Sequence, residues 1–495
     1  MHVSIEELDK KAQAVLQEYE GKDISPKERA HIPLQEMPTQ DPKVRVTNMQ
    51  EVSIGYTENQ VRAEALRCLQ CKNKPCIKGC PVGIDIPAFI AEAAKGEHGK
   101  ALSIIKESSS LPAICGRVCP QESQCQLYCT VGKVLKDVEQ SVSIGRIERY
   151  VSDYAREHVC EVMPKVAPET GKKVAVVGSG PASISASMDL RREGHTVVMF
   201  EALHKAGGVL VYGIPEFRLP KKIVEHELQT LKDMGVTIRR NYLVGKTRKI
   251  SDLMGKDGFS AVFVGSGAGL PKFMGIDGEN YVGVFSANEY LTRSNLMKAY
   301  AVGEALTPMF DSTKVAVFGG GNVAMDAART AKRLGAEEVT VVYRRSEVEM
   351  PARREEVAHA KEEGIKFLYL HSPLQITAND KGRVNGVELI KCELGEPDAS
   401  GRRSPIEIAG TEKIFAYDTV IIAIGNASNP LIKATTDGIE VNRKGNFIVD
   451  EATCETTLQG VYAGGDIVLG AATVILAMGQ GRKAAKAMNE YLLTK

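Results

Sequence analysis

The chain has 495 residues, of which 43% are hydrophobic and 25% are charged, and its formal net charge is +1. This length indicates two to four domains, and the balanced charge gives no electrostatic argument for binding nucleic acid. The N-terminal sequence MHVSIEELDKKAQ lacks the apolar segment of a signal peptide, and no apolar run is long enough to span a membrane. We therefore expect a cytoplasmic protein whose thiols are reduced.

Residues 1–165 predict a helical domain that is rich in cysteine. The stretch 86–108 has apolar residues at helical spacing. The segment 68–129 holds eight of the 11 cysteines of the chain. They form two runs: Cys68, Cys71, Cys76 and Cys80, then Cys115, Cys119, Cys125 and Cys129. In a reducing compartment such clustering favours metal binding over disulfides.

The cysteine spacing helps to identify the metal. The first run, C-x₂-C-x₄-C-x₃-C-P, ends as the bacterial ferredoxin run does, and eight thiolates would suit two 4Fe–4S clusters. The alternative is structural zinc, which favours paired C-x₂-C knuckles. The eight-cysteine segment contains a single C-x₂-C, so the pattern favours iron–sulfur clusters.

Residues 172–201, KKVAVVGSGPASISASMDLRREGHTVVMFE, have the pattern strand, glycine turn, helix, strand. Gly178, Gly180 and Ser183 occupy the three small-residue places of a dinucleotide-binding turn. The phosphates would lie at the helix N-terminus. Glu201 ends the second strand and could accept hydrogen bonds from ribose hydroxyls. This unit predicts an adenine dinucleotide without a 2′-phosphate.

Residues 313–345, TKVAVFGGGNVAMDAARTAKRLGAEEVTVVYRR, repeat the pattern. Gly319, Gly321 and Ala324 occupy the small-residue places. Tyr343 aligns with the acidic end of the first unit, and Arg344 and Arg345 follow it. Arginine can bind a 2′-phosphate that a carboxylate would repel, so this unit predicts NADPH. The structural alternative for the two arginines is a solvated strand end.

Three further strands end in glycine, within residues 261–268, 419–426 and 460–466, as buried parallel strands do. We predict an α/β protein in which a helical double-cluster, ferredoxin-like domain precedes two Rossmann-type domains. The second dinucleotide unit, which predicts NADPH, would be inserted in the first. The predicted domains are the iron–sulfur domain 1–165, a first dinucleotide-binding domain 171–305 and 419–495, which would bind FAD if it follows the flavoprotein reductases that it resembles, and the NADPH-binding domain 306–418.

The two units resemble the two-dinucleotide-binding flavoprotein reductases, in which the first unit holds FAD. In that family a late Gly-Gly-Asp strand closes over the flavin, and Gly464, Gly465 and Asp466 match it. The resemblance also implies that the helix after about Ala471 directs its N-terminus at the isoalloxazine. The nucleotide-binding part has only two cysteines, far apart in the sequence, so a disulfide-reductase mechanism is not expected. The cysteine-rich segment would instead be the exit, or the entrance, for electrons.

Over about residues 30–495 the chain resembles the small (β) subunit of NADPH-dependent glutamate synthase. The same module occurs in dihydropyrimidine dehydrogenase and in the large subunit of NADH-dependent ferredoxin:NADP oxidoreductase. The resemblance includes the cysteine runs and the motifs SIGRIERY (143–150), GSGPAS (178–183), GGVLVYGIPEFRLP (207–220), GGGNVAMD (319–326), YRRSEVEMPARREE (343–356), GEPDASGRR (395–403) and AGGDIVLGAATVILAMGQGRKAA (463–485).

The resemblance implies particular site residues. One cluster would take Cys68, Cys71, Cys76 and Cys129, and the other Cys80, Cys119, Cys125 and Glu148. Cys115 would then be a spare, although spacing alone makes it the eighth ligand. Further nucleotide-binding residues are Pro181, Ala182, Gly208, Arg218, Asn322, Val323, Gly425 and Thr473. Arg218 has a structural salt bridge as its alternative role.

The expected activity is electron transfer. NADPH would give a hydride to FAD, and single electrons would pass through two 4Fe–4S clusters to a glutamate synthase large subunit, which reduces the imine formed from 2-oxoglutarate and ammonia. One alternative is the NADPH/FAD subunit of an electron-bifurcating oxidoreductase, whose partner is a ferredoxin-reductase-like small subunit. An alternative of another class is a non-catalytic iron–sulfur scaffold, which would need no nicotinamide site. No nucleic-acid or membrane partner is expected.

Overall fold

The computed structural model describes residues 3–158, 163–301, 303–399 and 401–494. Its N-terminal part is helical, and 3₁₀ turns lie at Gln121–Ser123, Gln126–Tyr128 and Val138–Gln140. The α-helices of this part are α1 (Ile5–Tyr19), α2 (Pro26–His31), α3 (Pro42–Arg45), α4 (Glu58–Leu66), α5 (Pro75–Gly79), α6 (Ile86–Ala94), α7 (His98–Ser108), α8 (Pro112–Val118), α9 (Thr130–Leu135) and α10 (Ile144–Glu157).

The predicted helical stretch 86–108 forms two helices, not one. Helix α6 ends at Ala94 and α7 begins at His98. Gly96 between them has a φ of +80°, a left-handed conformation that glycine adopts without steric cost. The turn lets α6 and α7 both contribute to one core, where Phe89, Ile105 and Ile147 are buried together.

After residue 171 the structure alternates strands and helices. The strands are β1 (Lys173–Val177), β2 (Thr196–Phe200), β3 (Thr237–Arg239), β4 (Ala261–Val264), β5 (Leu270–Pro271), β6 (Val284–Ser286), β7 (Lys314–Phe318), β8 (Glu338–Tyr343), β9 (Lys366–Tyr369), β10 (His371–Ala378), β11 (Val384–Pro397), β12 (Arg403–Glu407), β13 (Lys413–Phe415), β14 (Thr419–Ile422), β15 (Asn426–Ala427) and β16 (Val461–Ala463). The helices are α11 (Pro181–Arg192), α12 (Val209–Tyr212), α13 (Lys221–Asp233), α14 (Ile250–Gly255), α15 (Ala287–Asn295), α16 (Asn322–Arg333), α17 (Arg354–Glu362), α18 (Leu431–Thr435), α19 (Asp466–Leu469) and α20 (Val474–Leu493).

The first parallel sheet has the strand order β16-β4-β1-β2-β3. Its outer strand β16 comes from near the C-terminus and pairs with β4. The chain therefore leaves this sheet after β4, builds a second sheet and then returns, as the inserted arrangement predicted.

The second parallel sheet has the order β6-β14-β7-β8-β9. Strand β14 pairs with both β6 and β7. Two of these strands, β6 and β14, lie outside the range 306–418 predicted for the inserted domain. Their pairing extends the second sheet on both sides of that range, because a short apolar strand does not reveal in its own sequence which sheet it joins.

A third, antiparallel sheet was not predicted. It has the order β10-β11-β12, and β13 also pairs with β11. It lies between β9 and β14 in the chain, so it is an addition to the second dinucleotide unit. The turn between β11 and β12 belongs to the GEPDASGRR motif, of which Ser400 lies outside the described residues.

The cluster domain and the first sheet share a hydrophobic core. Ile114 and Cys115 on α8 are buried with Val176 on β1 and Met478 on α20. Helix α8 is thereby fixed against the nucleotide-binding part. In the part of the chain that the structure describes, no helix is long and apolar enough to cross a membrane.

Candidate FAD, NADPH and iron–sulfur sites

The first glycine turn has the geometry of a phosphate-binding loop. Gly178 has a φ of +93°, and a Cβ there would lie 2.5 Å from the carbonyl oxygen of Gly265. Gly180 is the N-cap of α11, Pro181 is its first residue, and no atom lies within 4 Å of a Cβ built on Gly180. The free N–H groups of the helix N-terminus therefore face open space that a pyrophosphate could fill.

Ser183, in the third small-residue place, has a structural role. Its side chain is buried, and a Cβ on Gly265, which follows β4, would overlap its Oγ. Ala182 is buried beside it, and its carbonyl oxygen leaves no room for a Cβ on Gly481 of α20. These two residues let β4 and α20 approach α11 closely.

Glu201 directly follows β2 and is held by hydrogen bonds. Its carboxylate accepts from the hydroxyl of Ser179 and, at 2.7 Å, from the backbone N–H of Leu203. The Ser179 Oγ accepts in turn from the N–H of Gly207 at 2.8 Å. Burial raises the pKa of Glu201, and these hydrogen bonds oppose the rise. Ser179 and Gly207 were not predicted as site residues, although both belong to quoted motifs.

Residues from distant parts of the chain converge on this turn. A Cβ on Gly208 would lie 2.9 Å from the Cα of Gly180, and a Cβ on Gly465 would lie 3.1 Å from the Cβ of Ala182. Asp466 accepts from the N–H of Ala472 at 3.2 Å, and burial raises its pKa to about 6. Thr473 is the N-cap of α20 and accepts from Leu476 N–H. These glycines form a cradle that side chains at the same positions would fill. The open cradle fits FAD.

The second glycine turn repeats the geometry. Gly319 has a φ of +144°, and a Cβ there would overlap the carbonyl oxygen of Ala423. Gly321 is the N-cap of α16 and has no atom nearer than 3.9 Å to its added Cβ. Asn322 accepts from the N–H of Arg353 at 2.9 Å and so fixes the loop beside the turn.

The remaining predicted residues of this unit differ in exposure. Ala324 is buried and Val323 is exposed. Gly425 follows β14 with a φ of +100° and open space at its Cβ position. These positions leave a second cradle that fits the phosphates of NADPH.

The two arginines after β8 have different environments. Arg344 is exposed. Arg345 is buried, donates to Asp398 at 2.8 Å and donates to the carbonyl oxygen of Arg403 at 2.7 Å. Arg344 therefore has the freedom to reach a 2′-phosphate, whereas the guanidinium of Arg345 fastens the turn between β11 and β12.

Arg218 forms the structural salt bridge that was its alternative role. It donates to both carboxylate oxygens of Asp326 on α16, at 2.7 and 2.6 Å, and lies 3.2 Å from Glu356 on α17. The residue joins the loop after α12 to the second dinucleotide unit.

The first set of cysteines surrounds one cavity. Cys68, Cys71, Cys76 and Cys129 line it together with apolar side chains such as Ile86. Burial raises the pKa of Cys68 to about 11, and the charges of Cys129 and Cys71 add to the rise. Burial likewise raises the pKa of Cys76 to about 12. Four thiols that converge on an apolar cavity fit a 4Fe–4S cluster.

The second set joins three thiols to a buried carboxylate. Burial raises the pKa of Cys125, and Cys119, Cys80 and Glu148 raise it further. Burial alone raises the pKa of Glu148 to about 8, and its buried Oε1 has no hydrogen-bond partner among the described residues. An unsatisfied buried carboxylate oxygen beside three thiols fits a ligand better than a structural residue.

Cys115 lies beside this second set. It is fully buried, and a hydrogen bond links its thiol to that of Cys119. In the described residues, no three His, Cys, Asp or Glu side chains are arranged to hold a single metal ion.

Comparisons with known proteins show which families the two parts of the chain match. Residues 45–160 match the family described as dihydropyrimidine dehydrogenase domain II, 4Fe-4S cluster. Residues 172–487 match the family described as pyridine nucleotide-disulphide oxidoreductase. The fold is similar to that of Mycobacterium tuberculosis FprA in complex with NADPH, with a TM-score of 0.52 and 21% identity over 66% of this chain and 84% of that chain.

Fold and site together define an NADPH-dependent flavin oxidoreductase that carries FAD and 4Fe–4S clusters. The chain is 36% identical to the glutamate synthase [NADPH] small chain of Escherichia coli, over 91% of this chain and 95% of that protein. It is 39% identical to the NADP(+)-dependent formate dehydrogenase subunit beta of Moorella thermoacetica, over 84% of this chain and 60% of that protein. The chain belongs to the glutamate synthase small-chain family.

Proposed function

We propose that the chain is the NADPH-oxidising subunit of a glutamate synthase and that it delivers electrons to a large chain. The observation that supports this most directly is the match to glutamate synthase small chains, which spans nearly the whole of both proteins. Its location in the cytoplasm remains a prediction.

The two glycine turns would bind the two nucleotides. The N-terminus of α11 and Glu201 would hold the pyrophosphate and ribose of FAD, while Asp466 and the N-terminus of α20 would hold its flavin half. The N-terminus of α16 and Arg344 would bind the pyrophosphate and the 2′-phosphate of NADPH. When bound, FAD accepts a hydride from NADPH and gives up its electrons one at a time.

Contacts of α20 support an order for the two cluster sites. A Cβ on Gly479 would lie 3.1 Å from Val82 Cγ1, two residues after Cys80. The sulfur of Met478 accepts from Ser110 N–H at 3.3 Å. Helix α20 thus touches the segments beside the second set of cysteines. We infer that electrons leave the flavin through this inner site and then pass through the outer site, the cavity of Cys68, Cys71, Cys76 and Cys129.

A relative of this chain serves a different partner. The similarity to a formate dehydrogenase β subunit favours a second candidate, in which the same electron path serves a different partner. The electron-bifurcating oxidoreductase, with a ferredoxin-reductase-like small subunit as partner, belongs to this second candidate.

The test is glutamate formation from glutamine, 2-oxoglutarate and NADPH, with and without a glutamate synthase large chain. The chain alone should oxidise NADPH with an artificial acceptor but form no glutamate. The described residues are accounted for by the cluster domain and the dinucleotide-binding part, which leaves no room for a barrel of about 250 residues. Glutamate formed by the isolated chain, or none formed with the large chain added, would contradict the proposal.

A further inference from the structure

The segments around the outer cysteine cavity are rich in lysine. Residues 68–80 and 125–136, which supply its four cysteines, contain five lysines and no acidic residue, and the exposed Asp137 follows directly. Lys74 pairs with Asp85 at 2.7 Å. The other four are exposed and form no salt bridge with any residue that the structure describes: Lys72, Lys78, Lys133 and Lys136. We call these four lysines the basic rim.

Large apolar side chains are exposed within the same segments. Leu127, Tyr128 and Val134 are 49%, 41% and 56% exposed. The ring of Tyr128 packs against the backbone at Gly79, where a Cβ would come within 2.5 Å of it, and Lys133 Nζ lies 5.6 Å from the ring centroid. Tyr128 therefore connects the two lysine-bearing segments, with apolar surface between the charges.

In the proposed electron path this surface lies at the exit. Cys119 of the inner set is buried in the core of the first sheet. Cys125 of the inner set shares the core of the cluster domain with Cys68, Cys76 and Cys129 of the outer set, none of which belongs to the core of the first sheet. Leu127 and Tyr128 lie between Cys125 of the inner set and Cys129 of the outer set. An acceptor protein that docks over these two residues approaches the outer site.

We propose that the basic rim and the three apolar side chains form the docking surface for an electron-accepting protein that presents an acidic rim around an apolar centre. The proposal rests on the proposed function only in that electrons leave through the cluster domain. Opposite charge steers the encounter and increases the association rate, and a partly exposed tyrosine between apolar neighbours is a typical interface anchor.

The test uses two electron-accepting probes of opposite charge, the acidic haem protein cytochrome b5 and the basic haem protein cytochrome c. Each NADPH supplies two electrons as a hydride, so two ferric haems become ferrous and one proton is released. The test variant is Lys133→Glu/Lys136→Glu. The matched control is Lys246→Glu/Lys381→Glu, which reverses two lysines that are also exposed but lie outside the cluster domain. Leu127→Asp tests the apolar centre.

We expect the wild-type chain to reduce cytochrome b5 at a rate that falls steeply with salt. The test variant should reduce cytochrome b5 about tenfold more slowly and lose most of the salt dependence, while its reduction of cytochrome c should speed up. Leu127→Asp should slow reduction of both cytochromes. The control should behave as the wild type does, and all variants should reduce a neutral benzoquinone equally well.

Two results would overturn the proposal. In one, the test variant and the control show the same cytochrome rates. In the other, the preference between cytochromes does not change, but the test variant slows the benzoquinone reaction or shifts the midpoint potential of the outer cluster. That result would mean that the lysines only balance the charge of the cluster. Reduction of the two cytochromes does not require the natural partner. A failure of glutamate formation would therefore contradict the proposed function, but the cytochrome rates could still be interpreted.

Discussion

At the scale of single residues, neighbouring positions in one motif differ in what they can do. Arg344 and Arg345 follow the same strand, yet one is exposed and the other is bonded to Asp398 and to the backbone at Arg403. A guanidinium with two protein partners has little freedom to bind a phosphate. We therefore expect Arg344, and not Arg345, to bind the 2′-phosphate.

We predict that Arg344→Ala lowers the preference for NADPH over NADH. A hydrogen bond to a charged group contributes on the order of 1.5–3 kcal/mol, which corresponds to about ten- to a hundredfold in affinity. The measurement is the ratio of kcat/KM for the two nucleotides with an artificial acceptor. Asp398→Asn, which alters a carboxylate that Arg345 binds, is the control and should change the ratio much less. An unchanged ratio in Arg344→Ala would show that this residue does not bind the phosphate.

The second prediction concerns the eighth ligand. Glu148→Ala should lower the iron content of the anaerobically purified chain from about eight towards four, because a 4Fe–4S cluster needs four ligands. Cys115→Ala should keep its iron. FAD content should stay the same in both variants, since the flavin cradle is built from other residues. Loss of iron from Cys115→Ala alone would assign the eighth place to the cysteine, as spacing alone indicated.

At the scale of elements, the contact between α11 and α20 determines the flavin cradle. The two helices touch at Ala182 and Gly481, where a Cβ on the glycine would overlap a backbone carbonyl oxygen. Backbone atoms cannot move aside as the end of a flexible side chain can. The first turn of α11, which carries the phosphate site, is therefore positioned by a helix from the C-terminal end of the chain.

We predict that Gly481→Ala destabilises the flavin-binding part by about 1–3 kcal/mol, the usual cost of overpacking, and weakens the retention of FAD. Gly255→Ala is the matched control, because it is also a helical glycine but has no atom within 4 Å of its added Cβ. The control should be neutral or stabilising by up to about 1 kcal/mol. Thermal unfolding followed by flavin fluorescence measures both effects. Equal flavin retention in the two variants would contradict the importance of this contact.

At the scale of the whole molecule, buried ion pairs connect the cluster domain to the second dinucleotide unit. The carboxylate of Glu363, next to the end of α17, accepts from Arg45 at 2.8 Å, from Arg329 at 2.7 Å and from Arg333 at 2.7 Å. All four side chains are fully buried. Because Arg45 lies on α3 and the other two arginines lie on α16, one carboxylate joins elements that are about 300 residues apart.

We predict that Glu363→Gln lowers stability by about 3–5 kcal/mol at pH 7, the usual cost of breaking a buried pair. Burial would raise the pKa of Glu363, but hydrogen bonds and charges from Arg333 and Arg329 lower it far below its ordinary value of 4.5. A carboxylate with a lowered pKa stabilises the fold above its unfolded pKa and loses this contribution as the pH falls. The difference between wild type and variant should therefore shrink below about pH 4.5.

The matched control for this prediction is Glu362→Gln. Glu362 is the adjacent residue and also binds Arg45, at 2.7 Å, but its side chain is 51% exposed. An exposed pair contributes about 0–1 kcal/mol, so the control should change little at any pH. The measurement is the midpoint of thermal unfolding at pH 7 and at steps from about pH 4.5 down to about pH 3. A difference between Glu363→Gln and wild type that stays constant below about pH 4.5 would contradict the assigned charge state.

The sequence by itself determined the features that are encoded over short distances. The two glycine turns and their strands were predicted residue by residue, because a tight turn before a helix needs small residues at fixed spacing. The cysteine runs likewise indicated iron–sulfur clusters, because ligand spacing reflects the geometry of a loop around a metal. The family model for 45–160 agrees with this prediction.

Only the tertiary structure decided what depends on distant residues. It turned Arg218 towards α16 and placed β14 in the second sheet. It also separated the roles of two adjacent arginines through a partner more than 50 residues away. A short strand or a single charged side chain has no local signal for its partner, since the partner is chosen by packing and charge in the folded chain.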